Sequence, residues 1–313
     1  MGNSNMKITR PLLAETADQL DQITLPCLAS PKLDGYRCLK IKGEAVSRNF
    51  KPIRNVATRD KLKLILPEGI DGELMLKDSS AQFNEISSAF SAFEGEPDFI
   101  FHAFDYVKED IDKPYSDRLE DLNTWLKENP TPEIKIVATT LIRTMKELEQ
   151  YSEGCLDEGY EGSMYRKVGG QYKCGRSTLK EQILIKFKPW SDSEGIIVGF
   201  TEQVKNENKK EVNELGLTKR SSKKEGKIAA NTLGNFLIID PKFPGQQLEV
   251  GTGKGLTKEL RQEIWNNQSQ YLNKIIKYQY QLEGTKDKPR FPSWQGFRDI
   301  SDLDEVNPIL KYI

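Results

Sequence analysis

The chain has 313 residues, with 46 lysines and arginines against 47 aspartates and glutamates, four cysteines, one histidine and a formal net charge of -1. That balance argues against a protein that tracks phosphates, because such proteins usually carry a basic excess. With 37% apolar and 30% charged residues, the chain is too apolar for a disordered polymer and has no apolar run long enough for a bilayer, so no membrane partner is expected. Its length exceeds what one core usually fills and predicts two domains. Cys27, Cys38, Cys155 and Cys174 form no CxxC pair, and a single histidine cannot complete a zinc spacing. The opening stretch Met1 to Arg10 lacks the apolar stretch of a secretory signal, so an intracellular, non-secreted protein with reduced thiols is expected.

In chain order, strand signals come first: Arg37 to Ile41 alternates, Gly69 to Leu76 follows a Pro-Glu-Gly turn, and Phe99 to Tyr106 is rich in aromatics. His102, inside that aromatic run, reads as a buried structural histidine. Tyr115 to Leu126 then predicts a helix with Leu119, Leu122 and Leu126 on one face, and Met145 to Tyr151 repeats the pattern. These elements predict a mixed α+β domain over residues 1–190. After Pro189-Trp190-Ser191-Asp192 come the β-like runs Gly195 to Phe200, Asn235 to Ile239 and Leu248 to Val250, with one helix near Thr257 to Trp265. Several short strands and one helix over residues 191–313 suit an OB-fold β-barrel, an architecture that binds oligonucleotides. Within it, residues 204–234 are rich in Lys, Asn, Glu and Ser and too poor in large apolar side chains to order alone. Residues 299–313 form a tail to which the sequence assigns no role.

Charge is unevenly spread. Residues 31–70 carry +6, 71–160 carry -13, 161–190 carry +5 and 201–300 carry +6. The near-zero total is therefore a cancellation, and binding to a polyanion is expected to weaken with salt despite it.

The sharpest motif is Lys32-Leu33-Asp34-Gly35-Tyr36-Arg37, a KxDGxR. Four more follow in order: Asp71-Gly72-Glu73, Phe104-Asp105-Tyr106, Glu161 to Lys167, and Leu184-Ile185-Lys186-Phe187-Lys188. Together they resemble the motif set of the covalent nucleotidyltransferases, which include ATP-dependent DNA ligases, RNA ligases and mRNA capping enzymes. Further stretches, among them Ile8 to Ala14, Ser47 to Asn55, Tyr172 to Glu181, Val250 to Gly253 and Pro289 to Pro292, extend the resemblance over almost the whole chain. They are similar to the minimal ATP-dependent DNA ligases of the chlorella virus kind. The resemblance implies a nucleotidyltransferase (ATP-grasp-like ligase) domain followed by an OB domain.

A lysine amine that attacks the α-phosphorus of a nucleotide splits one hard phosphoryl transfer into easier steps, and Lys32 is the candidate. Its free amine is scarce at neutral pH unless cationic neighbours such as Lys186 and Lys188, with a divalent metal, depress its pKa. Asp34, also counted with the catalytic set, opposes that depression unless it is occupied elsewhere. Lys186 and Lys188 alternate with Ile185 and Phe187, so a strand points both ammonium groups to one face, where they would neutralise the α-phosphate. Glu73 and Glu161 are carboxylates beside glycines, suited to Mg²⁺ (or Mn²⁺) or to ribose hydroxyls. The resemblance gives Glu73 to the sugar and Glu161 to the metal. It also implies that Phe104 stacks on adenine, Arg37 contacts ribose, Arg290 reaches the ATP triphosphate, and Arg48 and Arg176 lie near a nick 5′-phosphate. Lys219, Arg220, Lys223 and Lys224 make the 204–234 insertion cationic and point to a DNA clamp that orders on binding. Gly251 to Thr257 fails as a phosphate loop, because Gly255 stands where Walker-type chemistry needs Ser or Thr after Lys254.

The expectation is an ATP-dependent DNA ligase that seals 3′-OH/5′-phosphate nicks in duplex DNA through a lysyl-AMP and an adenylated DNA intermediate. Its cofactors would be ATP and Mg²⁺ (or Mn²⁺), and it would act as a monomer encircling DNA. An mRNA capping guanylyltransferase or an RNA ligase shares the lysine motif and stands as the alternative. An inactive OB-type nucleic-acid-binding protein is disfavoured by the intact lysines. NAD⁺ as AMP donor is also disfavoured, since that ligase family carries an extra domain before the lysine motif.

Overall fold

The computed structural model describes residues 8–253, 255–281, 288–303 and 309. Lys254 and most of the 299–313 tail lie outside the described residues, as does the segment before Ile8. The chain divides into two compact units, one ending at Lys188 and including Asn213–Leu217, the other comprising Pro189–Val212 and the residues from Thr218. No described helix is long and apolar enough to cross a membrane.

The first unit contains strands β1 (Leu12–Leu13), β2 (Glu15–Ala17), β3 (Cys27–Pro31), β4 (Tyr36–Ile41), β5 (Glu44–Ser47), β6 (Ile70–Leu76), β7 (Phe99–Tyr106), β8 (Ile134–Ile136), β9 (Thr140–Ile142), β10 (Ser163–Lys167), β11 (Gly175–Arg176) and β12 (Leu184–Phe187). Its helices are α1 (Val56–Ile65), α2 (Phe83–Ser91), α3 (Tyr115–Glu128) and α4 (Met145–Asp157). Two five-stranded sheets result, in the orders β2-β12-β10-β3-β9 and β5-β4-β6-β7-β8, with β1 paired to β11.

The core of the second sheet follows from strand period two. Phe99, Phe101 and Ala103 of β7 pack with Leu74, Phe90 and Leu122, and Leu119 and Leu126 of α3 join from the helix stripe seen in the sequence. The alternation sends His102 to the other face, so it is half-buried and not a core residue as expected. Burial and neighbouring Lys135 push its pKa down. Thr144 and Glu147 form a capping box that starts α4.

The second unit contains β13 (Ser191–Asn206), β14 (Lys210–Val212), β15 (Thr218–Arg220), β16 (Lys227–Ile239), β17 (Gln247–Gly251), β18 (Ile275–Gln281) and β19 (Arg290–Arg298), with α5 (Lys258–Asn266) and α6 (Gln268–Tyr271). Five strands close in the order β13-β16-β17-β19-β18 around Phe236, Ile238, Val250, Ile276 and Tyr278, and Ile264 of α5 plugs the same core. Thr257 caps α5 by accepting from the Leu260 N–H.

The Lys-rich insertion departs from expectation. Instead of an unordered segment, it prolongs the β13/β16 ladder through Val204↔Ala229, Lys205↔Ile228 and Asn206↔Lys227 and adds the β14/β15 hairpin. Every side chain of β14 and β15 is exposed. Composition correctly excluded a core, but backbone pairing needs none once the barrel supplies the first rungs. Lys219 and Arg220 lie on β15, and Lys223 and Lys224 lie at a short 3₁₀ turn that precedes β16.

Part of the tail acquires a role. Ile309, 1% exposed, packs with Ile196 and Ile275, and Leu303 flanks them. Ile309→Ala is therefore expected to destabilise the second unit by about 2 kcal/mol or more, as for other buried Ile truncations. Denaturant melts of parent and variant check this, and coincident midpoints would remove the tail from the barrel's packing.

Candidate active site

Three strand ends build the first wall. In the antiparallel ladder β3–β10–β12, the end of β3, the start of β10 and the end of β12 meet at one edge. There Lys32 N–H donates to Gly162 O at 2.9 Å, and Glu161 N–H donates to Lys32 O at 3.3 Å. Gly162 has φ +147°, and a Cβ on it would lie 2.3 Å from Phe187 O. Only glycine fits, and its absent side chain lets β12 close on β10. The consequence is a shared carboxylate, with Glu161 ion-paired to both Lys32 and Lys188.

The second wall comes from β4, β6 and β7. Gly35 lets β6 approach, since a Cβ there would be 2.7 Å from Leu74 O. Arg37 makes a bidentate pair with the fully buried Asp71, at 2.9 and 2.6 Å, and Tyr172 OH donates to the same carboxylate at 2.7 Å. Burial works against the Arg37 charge, but Asp71 outweighs it and holds the guanidinium pKa above its ordinary value. Between β6 and β7 the register slips, with Asp71 opposite Asp105 and Gly72 opposite Ala103, so Phe104 is the extra residue of a β-bulge.

A cavity of about 460 Å³ opens between these walls. Lys32, Arg37, Arg48, Glu73, Phe104, Arg176, Lys186 and Lys188 all line it. Their mutual effects run in one direction. Burial, then Lys32, Arg176 and Arg48, push the Lys186 pKa down, and burial with Arg37 and Arg176 does the same to Arg48. So dense a cationic lining suits a phosphate-bearing ligand.

Other candidates fall elsewhere. Asp34 does not line the cavity, although its charge is felt by Glu73. Glu161 lies behind Lys32 and Lys188 and is not a lining residue. Arg290 belongs to β19 of the second unit, with its guanidinium 5.4 Å from the Phe291 ring, and Lys219, Arg220, Lys223 and Lys224 also belong to that unit. Among the described residues no three His, Cys, Asp or Glu side chains cluster to hold a metal, so Glu73 and Glu161 do not form a metal site by themselves. Their hard oxygens fit Mg²⁺ only as one or two ligands beside substrate phosphates and water.

Sequence reasoning passed over Arg166, Asp105, Asp71 and Tyr172. Arg166 lines the cavity and donates to Asp105 at 2.6 Å, and Arg118 takes the same carboxylate at 2.7 and 3.0 Å. Burial would raise the Asp105 pKa, but the two arginines win and lower it. The signal was present: Asp105 and Arg166 stand inside motifs quoted for Phe104 and Glu161.

Residues 11–188 match the family described as the ATP dependent DNA ligase domain, and residues 225–298 match the DNA ligase OB-like domain. The solved DNA ligase-adenylate of Chlorella virus is 35% identical over 93% of this chain and 99% of its own, with a TM-score of 0.55. A Lig E DNA ligase structure, 23% identical over 92% of this chain and 99% of its own, shares the fold at a TM-score of 0.68. Among curated proteins, a DNA ligase of Nanoarchaeum equitans is 23% identical over 91% of this chain and 51% of its own length. One of African swine fever virus is 27% identical over 42% of this chain and 32% of its own length. The matches thus span about a third to a half of these curated relatives.

Glu73 offers a direct test of the cavity's electrostatics. Desolvation pushes its carboxyl up to about 7, although Arg37 and Lys32 pull the other way. A carboxyl raised on folding favours the folded state below its ordinary pKa, and this contribution is lost as pH rises through about 7. Glu73→Gln, which stays neutral, should match the ligand-free parent in stability at pH 4 and exceed it at pH 8. Urea melts at both pH values decide, and a difference independent of pH would contradict the shift.

Proposed function

Because the chain belongs to the ATP-dependent DNA ligase family, we propose that this cavity carries out nucleotidyl transfer from ATP to nicked duplex DNA, with Lys32 as the covalent carrier. The observation that supports it most is that Lys32, Lys186 and Lys188 line one cavity with the aromatic ring of Phe104, Lys32 and Lys188 sharing the Glu161 carboxylate.

The chemistry is a sequence of three phosphoryl transfers. Lys32 Nζ attacks the α-phosphorus of ATP, forms the P–N bond of lysyl-AMP and expels pyrophosphate. AMP then passes to the 5′-phosphate at a nick, breaking the P–N bond. Finally the 3′-hydroxyl attacks that activated phosphate, closes the phosphodiester and releases AMP. Each step needs positioning and neutralised charge more than covalent help from the protein.

The residues divide this work by position. Lys32 Nζ is hydrogen-bonded to Glu161 Oε2, so the proton that must leave the amine already points at an acceptor. Lys186 and Lys188 offset charge on the α-phosphate. Phe104 provides a face for the adenine, and Glu73 and Arg37 lie at the ribose. Glu161, with the nucleotide phosphates, would hold Mg²⁺ or Mn²⁺, which would supply further neutralisation of the phosphates when bound. Arg48 and Arg176 are guanidiniums suited to the nick 5′-phosphate. Arg290 serves the triphosphate, and the exposed Lys219, Arg220, Lys223 and Lys224 serve the DNA backbone. Asp34 keeps its place with the catalytic set on the KxDG motif alone. The protein acts inside the cell as a monomer that encircles DNA, with residues 1–190 as the adenylation domain and 191–313 as the OB domain.

Parent protein given radiolabelled ATP and a divalent cation should retain covalent label after denaturation and should seal a nicked duplex. Lys32→Ala should lose both. A labelled Lys32→Ala protein would sink the mechanism, and preferential labelling by GTP would move the reading to a capping guanylyltransferase. DNA affinity should also fall steeply with salt, by about tenfold or more between low and moderate ionic strength, as several phosphate contacts require. A flat dependence in a binding titration would contradict the local basic excess.

A further inference from the structure

Deepening the nucleotide-site reading above, and resting on it, we propose that Arg166 is a positioning residue for the base-stacking ring. Through Asp105 it fixes the bulged Phe104 in the cavity wall, and so governs how tightly ATP is held more than how fast Lys32 reacts.

The bulge makes such a device necessary. An extra residue in a strand is left out of the ladder pairing, so the direction of Phe104 is set by its neighbours and not by β6. Those neighbours are specific. Tyr115 OH donates to Phe104 O at 3.1 Å and stands in for the lost pairing. The next residue, Asp105, is fully buried and accepts from its own following amide, Tyr106 N–H, at 2.9 Å, as well as from both arginines.

Arg166 is more than folding demands of this carboxylate. Arg118 alone offers a bidentate pair at 2.7 and 3.0 Å, and it also donates to Gly170 O at 3.0 Å. One guanidinium in that geometry neutralises one carboxylate. A second arginine, 5% exposed, leaves surplus positive charge beside the cavity, which costs desolvation without a charge to cancel. What Arg166 adds is placement. Its guanidinium carbon stands 4.4 Å from the Tyr115 ring centroid and 5.6 Å from that of Phe104, and Arg37 stands 5.2 Å from the same Phe104 ring. Both guanidiniums are anchored by buried carboxylates, Arg166 by Asp105 and Arg37 by Asp71. Arg166 also comes from β10, the strand that opens just after Glu161 and Gly162, whereas Phe104 comes from β7 of the other sheet. The Arg166–Asp105 pair therefore ties the sheet that bears the lysine to the sheet that bears the ring.

The test is the ATP dependence of single-turnover lysyl-AMP formation by the full chain. Arg166→Met should raise the half-saturating ATP concentration by about tenfold, while the saturating rate falls far less, as loss of an anchored cation–aromatic contact predicts. Arg166→Lys should recover part of that affinity, since it can still reach Asp105 without stacking on Tyr115. In a Phe104→Ala background, Arg166→Met should add little, because its effect passes through the ring. An unchanged half-saturating concentration in Arg166→Met, or effects that multiply in the double variant, would overturn the proposal. If Arg166→Met does not fold, the same cycle run with Arg166→Lys decides it by the same criteria. A parent protein that takes no label would instead defeat the nucleotide reading itself, which keeps the two failures apart.

Discussion

The fold is organised around a problem of like charge. Seven cations, Lys32, Lys186, Lys188, Arg37, Arg48, Arg166 and Arg176, line one cavity together with a single carboxylate, Glu73. Where its members are screened from water, as the buried Arg166 is, such a lining repels itself, and the chain holds it by placing carboxylates behind the wall. Glu161 is divided between Lys32 and Lys188, Asp105 between Arg166 and Arg118, and Asp71 is committed to Arg37 with Tyr172. Because two of these acids serve two cations each, the lining stays positive toward the cavity while the interior behind it is closely paired. That residual field is what a nucleotide's phosphates would complete.

The same arrangement accounts for the misleading net charge. The -13 carried by residues 71–160 contains both Asp71 and Asp105, so part of the acidic excess is interior structure that supports the basic surface. Total charge sums groups that never share a dielectric environment. Local field at the cavity decides what binds, and it is set by which charges face inward and which stand behind.

Much of this was legible from the residues. The aromatic run Phe99 to Tyr106, the alternation in Leu184 to Lys188 and the leucine stripe of α3 marked the two strands and the helix, because each is a local consequence of side-chain type and backbone geometry. Lys32, Arg37, Arg48, Glu73, Phe104, Arg176, Lys186 and Lys188 came together as cavity residues. What could not be read was whatever depends on a partner distant in sequence. Arg166 finds Asp105 across 61 positions, and Tyr172 finds Asp71 across 101. No periodicity encodes such a meeting. The insertion was misjudged for a related reason: composition reports on burial, but the β13/β16 ladder is extended by hydrogen bonds that composition does not see.

Glycine and the bulge show how backbone constraint reaches chemistry. At Gly162 a missing side chain lets β12 close on β10, and that closeness gives Lys32 and Lys188 one carboxylate to share. At Phe104 an additional residue in β7 does the opposite, releasing a ring from the ladder so that side chains must hold it. One wall of the cavity is thus set by main-chain pairing throughout, whereas at Phe104 of the other a charged network takes the place of the ladder. A main-chain wall leaves the backbones of Lys32 and Glu161 little freedom, which would suit the nucleophile proposed at Lys32. A wall held by side chains is the one that substitution can retune, so variation in nucleotide preference should be sought around Phe104, Asp105 and Arg166 before it is sought around Lys32.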